Sequence, residues 1–248
     1  MHKDFTLLAC SYNTPMITTT LLKSWAFYHD IQTKIILIDN STDELTYKIL
    51  TENNIPVIRV FGDTHGNGVN RALELCTTKY ALLVDTDIIF LKSHEKLLNE
   101  FIQSKLTLMG RLEGDRGGKN IYDRIAPCHC FIDVENVKKH NITFFNMQKM
   151  KDSFSADKIY DIGSTFFEDI KNAKLGLGHI DVENNYYIHF EGMSWYKNKY
   201  DPFKEDTGID FGGTHNNGMY VEIANQKELM YQPYVKKFEN INIGNKFI

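Results

Sequence analysis

Four cysteines in 248 residues, with no C-x-x-C pair among them, supply neither a disulfide framework nor a zinc site. Cys10, Cys76, Cys128 and Cys130 sit mostly in apolar segments, where reduced, buried thiols are expected. No apolar run approaches the roughly 18 residues that span a bilayer, and Met1-His2-Lys3-Asp4-Phe5 carries no signal-peptide core. The expectation is a cytoplasmic protein with no transmembrane segment. Positive charge is not in excess either, since 28 Lys and Arg face 32 Asp and Glu. That balance leaves no electrostatic footprint for nucleic acid. The stretch Gly62-Asp63-Thr64-His65-Gly66-Asn67-Gly68 lacks both G-x-G-x-x-G and G-x-x-x-x-G-K-[ST]. A helix start there favours an anion, but an ordinary turn ahead of a helix from Val69 to Cys76 is the expected role. Internal repeats, low-complexity segments and linkers are missing too, so nothing forces a domain split.

What the chain has is alternation. Phe5-Thr6-Leu7-Leu8-Ala9-Cys10, Lys34-Ile35-Ile36-Leu37-Ile38-Asp39, Pro56-Val57-Ile58-Arg59-Val60 and the run Leu82-Leu83-Val84 read as buried strands. Between them lie helices: Thr14-Pro15 as N-cap and first turn of one ending near Tyr28, and Ser41-Thr42-Asp43-Glu44 as a capping box before Leu45, Ile49 and Leu50. Strand and helix in turn predict an α/β protein with a mostly parallel central sheet and helices on both faces. Ligands bind such sheets beyond the carboxyl ends of the strands, where Tyr12, Asp39, Asp85 and Asp87 gather.

The organising stretch is Lys79-Tyr80-Ala81-Leu82-Leu83-Val84-Asp85-Thr86-Asp87-Ile88-Ile89-Phe90, an apolar run broken by two acids. Period-two geometry points Asp85 and Asp87 the same way. Two such carboxylates repel unless a cation or a shared proton relieves them, so the pair is a candidate site for a hard divalent ion. A strand end followed by an Asx-type turn is the alternative, and both stay open on these residues alone.

In this order, the strand ending at Ser11-Tyr12-Asn13, the strand leading to Asp39-Asn40-Ser41-Thr42-Asp43, the glycine-rich loop, Arg71-Ala72 and the strand leading to Asp85-Thr86-Asp87 resemble the nucleotide-sugar-binding half of a family 2 glycosyltransferase with the GT-A fold. Phe166-Phe167-Glu168-Asp169, Ala173-Lys174-Leu175-Gly176 and Tyr187-Ile188-His189-Phe190-Glu191-Gly192-Met193-Ser194 are similar to that family's acidic pair, following helix and histidine-glycine-serine segment. The resemblance runs from Phe5 to Trp195. It implies one GT-A domain: a nucleotide-sugar-binding half over 1–110, an acceptor and catalytic half over 111–195, and an extension or lid over 196–248.

By this resemblance, Mn2+ or Mg2+ is held by Asp87 directly, by Asp85 directly or through water and ribose, and by His189 as third ligand. The imidazole suits manganese at least as well as magnesium; without the family match, His189 reads as a packed histidine among aromatics. Asp39 is expected to accept a hydrogen bond from the base or ribose, and Tyr12 to pack against the ring. Arg71 is either a diphosphate contact or a solvated helix residue. Thr165 and Glu168 have capping-box spacing, which gives Glu168 a structural job and leaves Asp169 as general base, with Glu168 in reserve. Acids in the first turn of a helix also simply offset its dipole. A base opposite the leaving group implies inversion. The donor is a nucleotide-diphosphate sugar, with a UDP-sugar favoured, although no residue separates uridine from guanosine or thymidine carriers. The acceptor is a saccharide or glycoconjugate, with a nucleic-acid base disfavoured by the net charge.

Elsewhere, Leu106 to Gly110 and Pro127 to Asp133 read as strands around a charged loop bearing Arg111, Arg116 and Arg124. Those arginines meet an anionic acceptor or are solvated, the latter expected for at least two. The aromatics Trp195, Tyr196, Tyr200, Phe203, Phe211, Tyr220, Tyr231 and Tyr234 either stack on sugars or pack a core. Residues 208–218 have the composition of a loop that closes over a donor, and His215 is the second choice for the histidine ligand. The rivals are a haloacid-dehalogenase-type phosphatase, a sugar-phosphate nucleotidyltransferase, and a non-catalytic glycan-binding or scaffold protein that retains the fold.

Overall fold

The computed structural model describes residues 4–29, 31–42, 44–61, 63–114, 121–193 and 218–248, with the side chains of 218–225 left aside. The chain runs β1 (Phe5–Ser11), α1 (Pro15–Tyr28), β2 (Lys34–Asp39), α2 (Leu45–Glu52), β3 (Val57–Arg59), α3 (His65–Leu75) and β4 (Tyr80–Asp85). It continues through β5 (Ile88–Phe90), α4 (Glu95–Ser104), β6 (Leu108–Glu113), β7 (Arg124–Asp133), α5 (Val134–Lys139), α6 (Met147–Asp152), α7 (Ser164–Asn172), β8 (Leu177–His179), β9 (Tyr187–His189) and α8 (Gly218–Phe238).

Among the described residues, seven strands form one sheet in the order β3-β2-β1-β4-β7-β6-β8. The first four are mutually parallel, β7 is antiparallel to both β4 and β6, and β8 rejoins in parallel. Period two sorts the side chains onto opposite faces. Leu7 and Ala9 face Leu21, Leu22 and Trp25 of α1, whereas Leu8 and Cys10 face Val69, Ala72 and Leu73 of α3. Both faces are therefore covered, which is why β1 and β4 are apolar without interruption. Gly68 lets α3 approach the sheet closely, since a Cβ there would lie 2.6 Å from Asn40 Nδ2. All four cysteines are buried and unpaired, as their apolar surroundings suggested.

Local signals held less well than the strand pattern. Thr14 does occupy the N-cap position of α1, but its hydroxyl makes no capping bond; Pro15 has already removed one of the donors a cap would serve. The capping box at Ser41 does not form, because Ser41 Oγ turns back to Asp39 and α2 starts at Leu45 with Glu44 at its N-cap. Likewise α7 starts at Ser164 behind Gly163, so Thr165 lies inside the helix and caps nothing. The third helix begins at His65 rather than Val69, with Thr64 Oγ1 accepting from Asn67 N at 3.2 Å. Arg111 and Arg124 belong to β6 and β7 rather than to a loop, while Arg116 lies outside the described residues.

The C-terminal helix packs on α1 through a third cluster of Ile17, Ile89, Phe190, Met193, Tyr231 and Phe238. Tyr231 is fully buried and Tyr234 packs against that cluster, so these two aromatics take the core role. Trp195, Tyr196, Tyr200, Phe203, Phe211, His215 and the stretch 208–217 lie outside the described residues, as does the side chain of Tyr220. Among the described residues no helix is long and apolar enough to cross a membrane.

Candidate metal and donor site

Asp85 closes β4, after which Thr86 and Asp87 turn the chain into β5. That short strand leaves the main sheet and pairs antiparallel with β9, setting Ile88 opposite His189. The turn and this two-stranded ladder bring the acids and the histidine together; strand pleating, the expected cause, plays no part for Asp87. His189 Nε2 lies 3.2 Å from Asp87 Oδ1 and 3.8 Å from Asp85 Oδ2. One ligand atom from each of Asp85, Asp87 and His189 falls within 4.8 Å of the others. The far side of Asp87 is fixed by backbone, with Phe190 N donating to its carbonyl at 3.0 Å and Met193 N to Oδ2 at 3.1 Å.

Two residues at this cluster escaped sequence reasoning. His65, the first residue of α3, places Nε2 3.4 Å from Asp85 Oδ1, so the glycine-rich loop is more than an ordinary turn. Its signal was the Thr64 cap directly ahead of it. Cys128, buried on β7, lies close enough to His189 and Tyr187 to raise the pKa of both. No local pattern announced that contact, because it depends on β7 lying beside β4.

Burial raises the pKa of Asp85, and the neighbouring Asp87 charge adds to that while His65 and His189 oppose it. Burial also works against an ionised Asp87, but the hydrogen bond and charge of His189, with Met193 N, outweigh it and hold its pKa down. His189 is pushed up to about 11: burial disfavours its charge, and Asp87 more than compensates. Without a metal, protonated His189 is thus the cation that relieves the two acids. A divalent ion must displace that proton, since a metal ligand binds as neutral imidazole. Two carboxylate oxygens and one imidazole nitrogen form a donor set that fits manganese or magnesium.

A second feature lies two strands over. Asp39 is fully buried at the carboxyl end of β2, where Oδ1 accepts from Ser11 Oγ at 2.9 Å, from Ser41 N at 3.2 Å and from Ser41 Oγ. Its other oxygen, Oδ2, is buried with no hydrogen-bond partner. A buried acceptor left in that state costs about 1–3 kcal/mol, and such an atom commonly marks a ligand. Tyr12 stands half-buried just past β1, and Asn40 Nδ2 ties the same edge to Thr64 O at 3.0 Å. Arg71 is elsewhere: its guanidinium pairs with Glu74 at 2.5 Å and is exposed. The expected diphosphate contact gains no support, and the solvated role fits.

The acceptor-side residues do not join the cluster. Glu168 accepts from Lys149 Nζ and, at 2.9 Å, from the Tyr160 hydroxyl. Burial opposes its ionisation, but Lys149 and Tyr160 outweigh it and hold its pKa low. Asp169 stands 3.7 Å from the same lysine. Among the described residues, no hydrogen bond or ion pair links either acid to Asp85, Asp87 or His189. Nearer in charge is a network through both strands of the β6–β7 hairpin. Arg111 pairs with Glu183 and, at 2.6 Å, with Glu113; Arg124 reaches Glu113 at 3.1 Å and Asp161 at 2.7 Å. Neither arginine is solvated or presented to an anionic acceptor, which corrects both expectations. Arg124, which holds Asp161, also exerts its charge on Asp85.

A four-strand parallel run extended by antiparallel strands is the arrangement of the GT-A fold. Among solved structures the chain is similar to Staphylococcus aureus TarS (a 1–349 form), at 17% identity over 98% of this chain and 81% of that one, with a TM-score of 0.53. It covers 54% of the longer TarS structure. A TarS complex with UDP-GlcNAc matches at 16% identity over 95% of this chain and 79% of that one, TM-score 0.51. The mannosyltransferase PcManGT of Pyrobaculum calidifontis, solved with GDP-Man and Mn2+, matches at 9% identity over 95% of this chain and 73% of that one, TM-score 0.51. No protein-family model and no curated protein sequence matches the chain. At such identities the likeness establishes the fold.

Proposed function

We propose that the chain is a metal-dependent, inverting glycosyltransferase that moves a sugar from a nucleotide diphosphate onto a hydroxyl of a saccharide or glycoconjugate. The observation that carries this reading is the convergence of Asp85, Asp87 and His189 beyond the sheet of a GT-A fold. Asp87 and His189 would hold the metal directly, with Asp85 as the third ligand or as a contact through water and ribose. Bound there, Mn2+ or Mg2+ neutralises the diphosphate as a Lewis acid. A nucleic-acid acceptor stays disfavoured, and the four unpaired thiols fit a cytoplasmic setting.

Asp39 supports a uridine donor. Three donors already occupy its Oδ1, so one buried oxygen remains to receive one N–H. The uracil imide offers a single such N–H between two carbonyls. Guanine presents adjacent N1–H and N2–H groups, which pair best with a carboxylate that has both oxygens open. That the neighbouring TarS was solved with UDP-GlcNAc agrees with this choice.

For the acceptor proton, Asp169 keeps the general-base role over Glu168, whose carboxylate is taken by Lys149 and Tyr160. A second reading rests on one observation: Arg124 anchors Asp161 ahead of α7, whereas Asp169 lies five residues inside that helix, about 7.5 Å along its axis.

The deciding test is a panel of nucleotide-sugars assayed for nucleotide release with and without manganese, using the natural chain and Asp87→Ala. Metal-dependent release of one nucleotide, lost in the variant, is expected. Absence of release from every donor would leave the scaffold reading, and orthophosphate from simple phosphoesters would favour the phosphatase.

A further inference from the structure

We propose that His65, the first residue of α3, is a positioning residue for the metal site: it holds one oxygen of Asp85 and leaves the other for the ion. This deepens the metal-dependent reading and rests on it. The Asp85 carboxylate lies between two histidines, with Oδ1 3.4 Å from His65 Nε2 and Oδ2 3.8 Å from His189 Nε2. Of the two, His189 alone belongs to the set whose ligand atoms fall within 4.8 Å of one another. Asp85 Oδ1 is buried and has no aligned hydrogen-bond partner, while His65 stands within reach of it. A small rotation of either side chain completes that bond.

The first turn of α3 is fixed from several sides, and with it the base of that imidazole. Thr64 Oγ1 accepts from Asn67 N at 3.2 Å, and Asp63 Oδ1 accepts from Thr64 N at 2.7 Å and from Asn67 Nδ2 at 2.8 Å. Asn40 Nδ2 donates to Thr64 O at 3.0 Å, and Gly66 lies so close to Phe145 that a Cβ would come within 2.3 Å of the ring. His65 is thus delivered to Asp85 by a rigid turn, and the two form an ion-pair contact. A carboxylate accepts and never donates, so this contact selects the imidazole tautomer with its proton on Nε2. A metal-ligating carboxylate whose free oxygen is hydrogen-bonded stays in one orientation, and such partners are worth about 10-fold to 100-fold in metal affinity.

The test is calorimetric titration of Mn2+, alone and with UDP present, into the natural chain, His65→Phe and His65→Gln. His65→Phe keeps a flat ring but loses the N–H, and is expected to weaken Mn2+ about 10-fold or more. His65→Gln, whose side-chain amide offers an N–H at similar reach, is expected to bind within about 3-fold of the natural chain. Unchanged Mn2+ affinity in His65→Phe would overturn the assignment while leaving the metal reading intact. Equal losses in the two variants would overturn it as well, since they would mean that the imidazole acts as a ligand or a packing group rather than as a hydrogen-bond donor. If the natural chain binds no Mn2+ under either condition, the metal reading fails and this one with it.

Discussion

The carboxyl edge of β1, β2 and β4 and the β6–β7 side of the sheet are both rich in buried charge, yet they treat it in opposite ways. On the β6–β7 side each described charge is answered by another: Arg111 by Glu113 and Glu183, Arg124 by Glu113 and Asp161. At the carboxyl edge the balance is left open. Asp39 Oδ2 has no hydrogen-bond partner, and the neighbouring Asp85 and Asp87 are relieved chiefly by His65 and His189. Closed networks hold a structure in one conformation, whereas open valences at the end of a parallel sheet await something from outside. The difference sets the β6–β7 side apart as framework and the carboxyl edge as the proposed site.

The most severe way to break that comparison is to remove the open charges. Asp87→Ala or His189→Ala should abolish manganese-dependent nucleotide release, a loss of at least about 10³-fold, with metal affinity falling in parallel when titrated directly. Retained metal binding in both variants would dissolve the distinction. Next in size is the proton acceptor. Neutralising the true base should cost about 10²-fold to 10⁴-fold in transfer rate while nucleotide affinity holds. Asp169→Asn and Asp161→Asn, compared in kcat and in UDP affinity, therefore separate the two assignments. A loss confined to Asp161→Asn would move catalysis onto the edge of the closed network.

The same contrast predicts opposite signatures for two buried polar residues. Arg124→Met should destabilise the fold by about 1.5–3 kcal/mol in urea unfolding, because Asp161 and Glu113 each lose a charge-assisted bond. Asp39→Asn should do the reverse, barely shifting the unfolding midpoint but lowering UDP affinity about 10-fold, as an amide N–H confronts the imide N–H. If Asp39→Asn proved the more destabilising of the two, its free oxygen would be a structural defect rather than a binding group.

Much of this was legible in the sequence, and the parts that were not share a cause. The buried strands, the helices between them and the acid pair were readable because they depend on period and local order. Even the pairing of His189 with the acids came only through resemblance, since His189 lies 102 positions after Asp87 and the β5–β9 register makes the contact. His65 at Asp85, Cys128 under His189 and Arg124 on Asp161 arise from strand order, which no local pattern encodes. The capping boxes failed for a related reason. Ser41 Oγ donates to Asp39, at the end of the strand that leads into it, and accepts from Asn13 N at 2.8 Å, so it is taken up there rather than by a helix amide.

A third cluster sharpens the comparison, because its polar groups are satisfied only while uncharged. His94 N donates to His29 Nε2 at 2.8 Å, which leaves His29 Nδ1–H to donate to Trp25 O at 2.9 Å. His94 Nδ1–H points at Lys92 O at 3.1 Å, so its Nε2 accepts from His129 Nε2–H at 3.0 Å. A proton added to His29 or His94 would set one N–H against another. Burial lowers all three, His29 to about 4, His129 to about 3 and His94 well below its usual value. Since the folded pKa lies below the unfolded one, the unfolded chain takes up protons first. Stability is therefore fully present above pH 6.5 and drains as the pH falls, by up to about 1.4 kcal/mol per unit for each ring. His129→Gln keeps a donor for His94 and removes one titrating group, so the slope of unfolding free energy between pH 6.5 and 4.5 should fall by about that amount. An unaltered slope would show that this cluster, for all its burial, is not what makes the fold sensitive to acid.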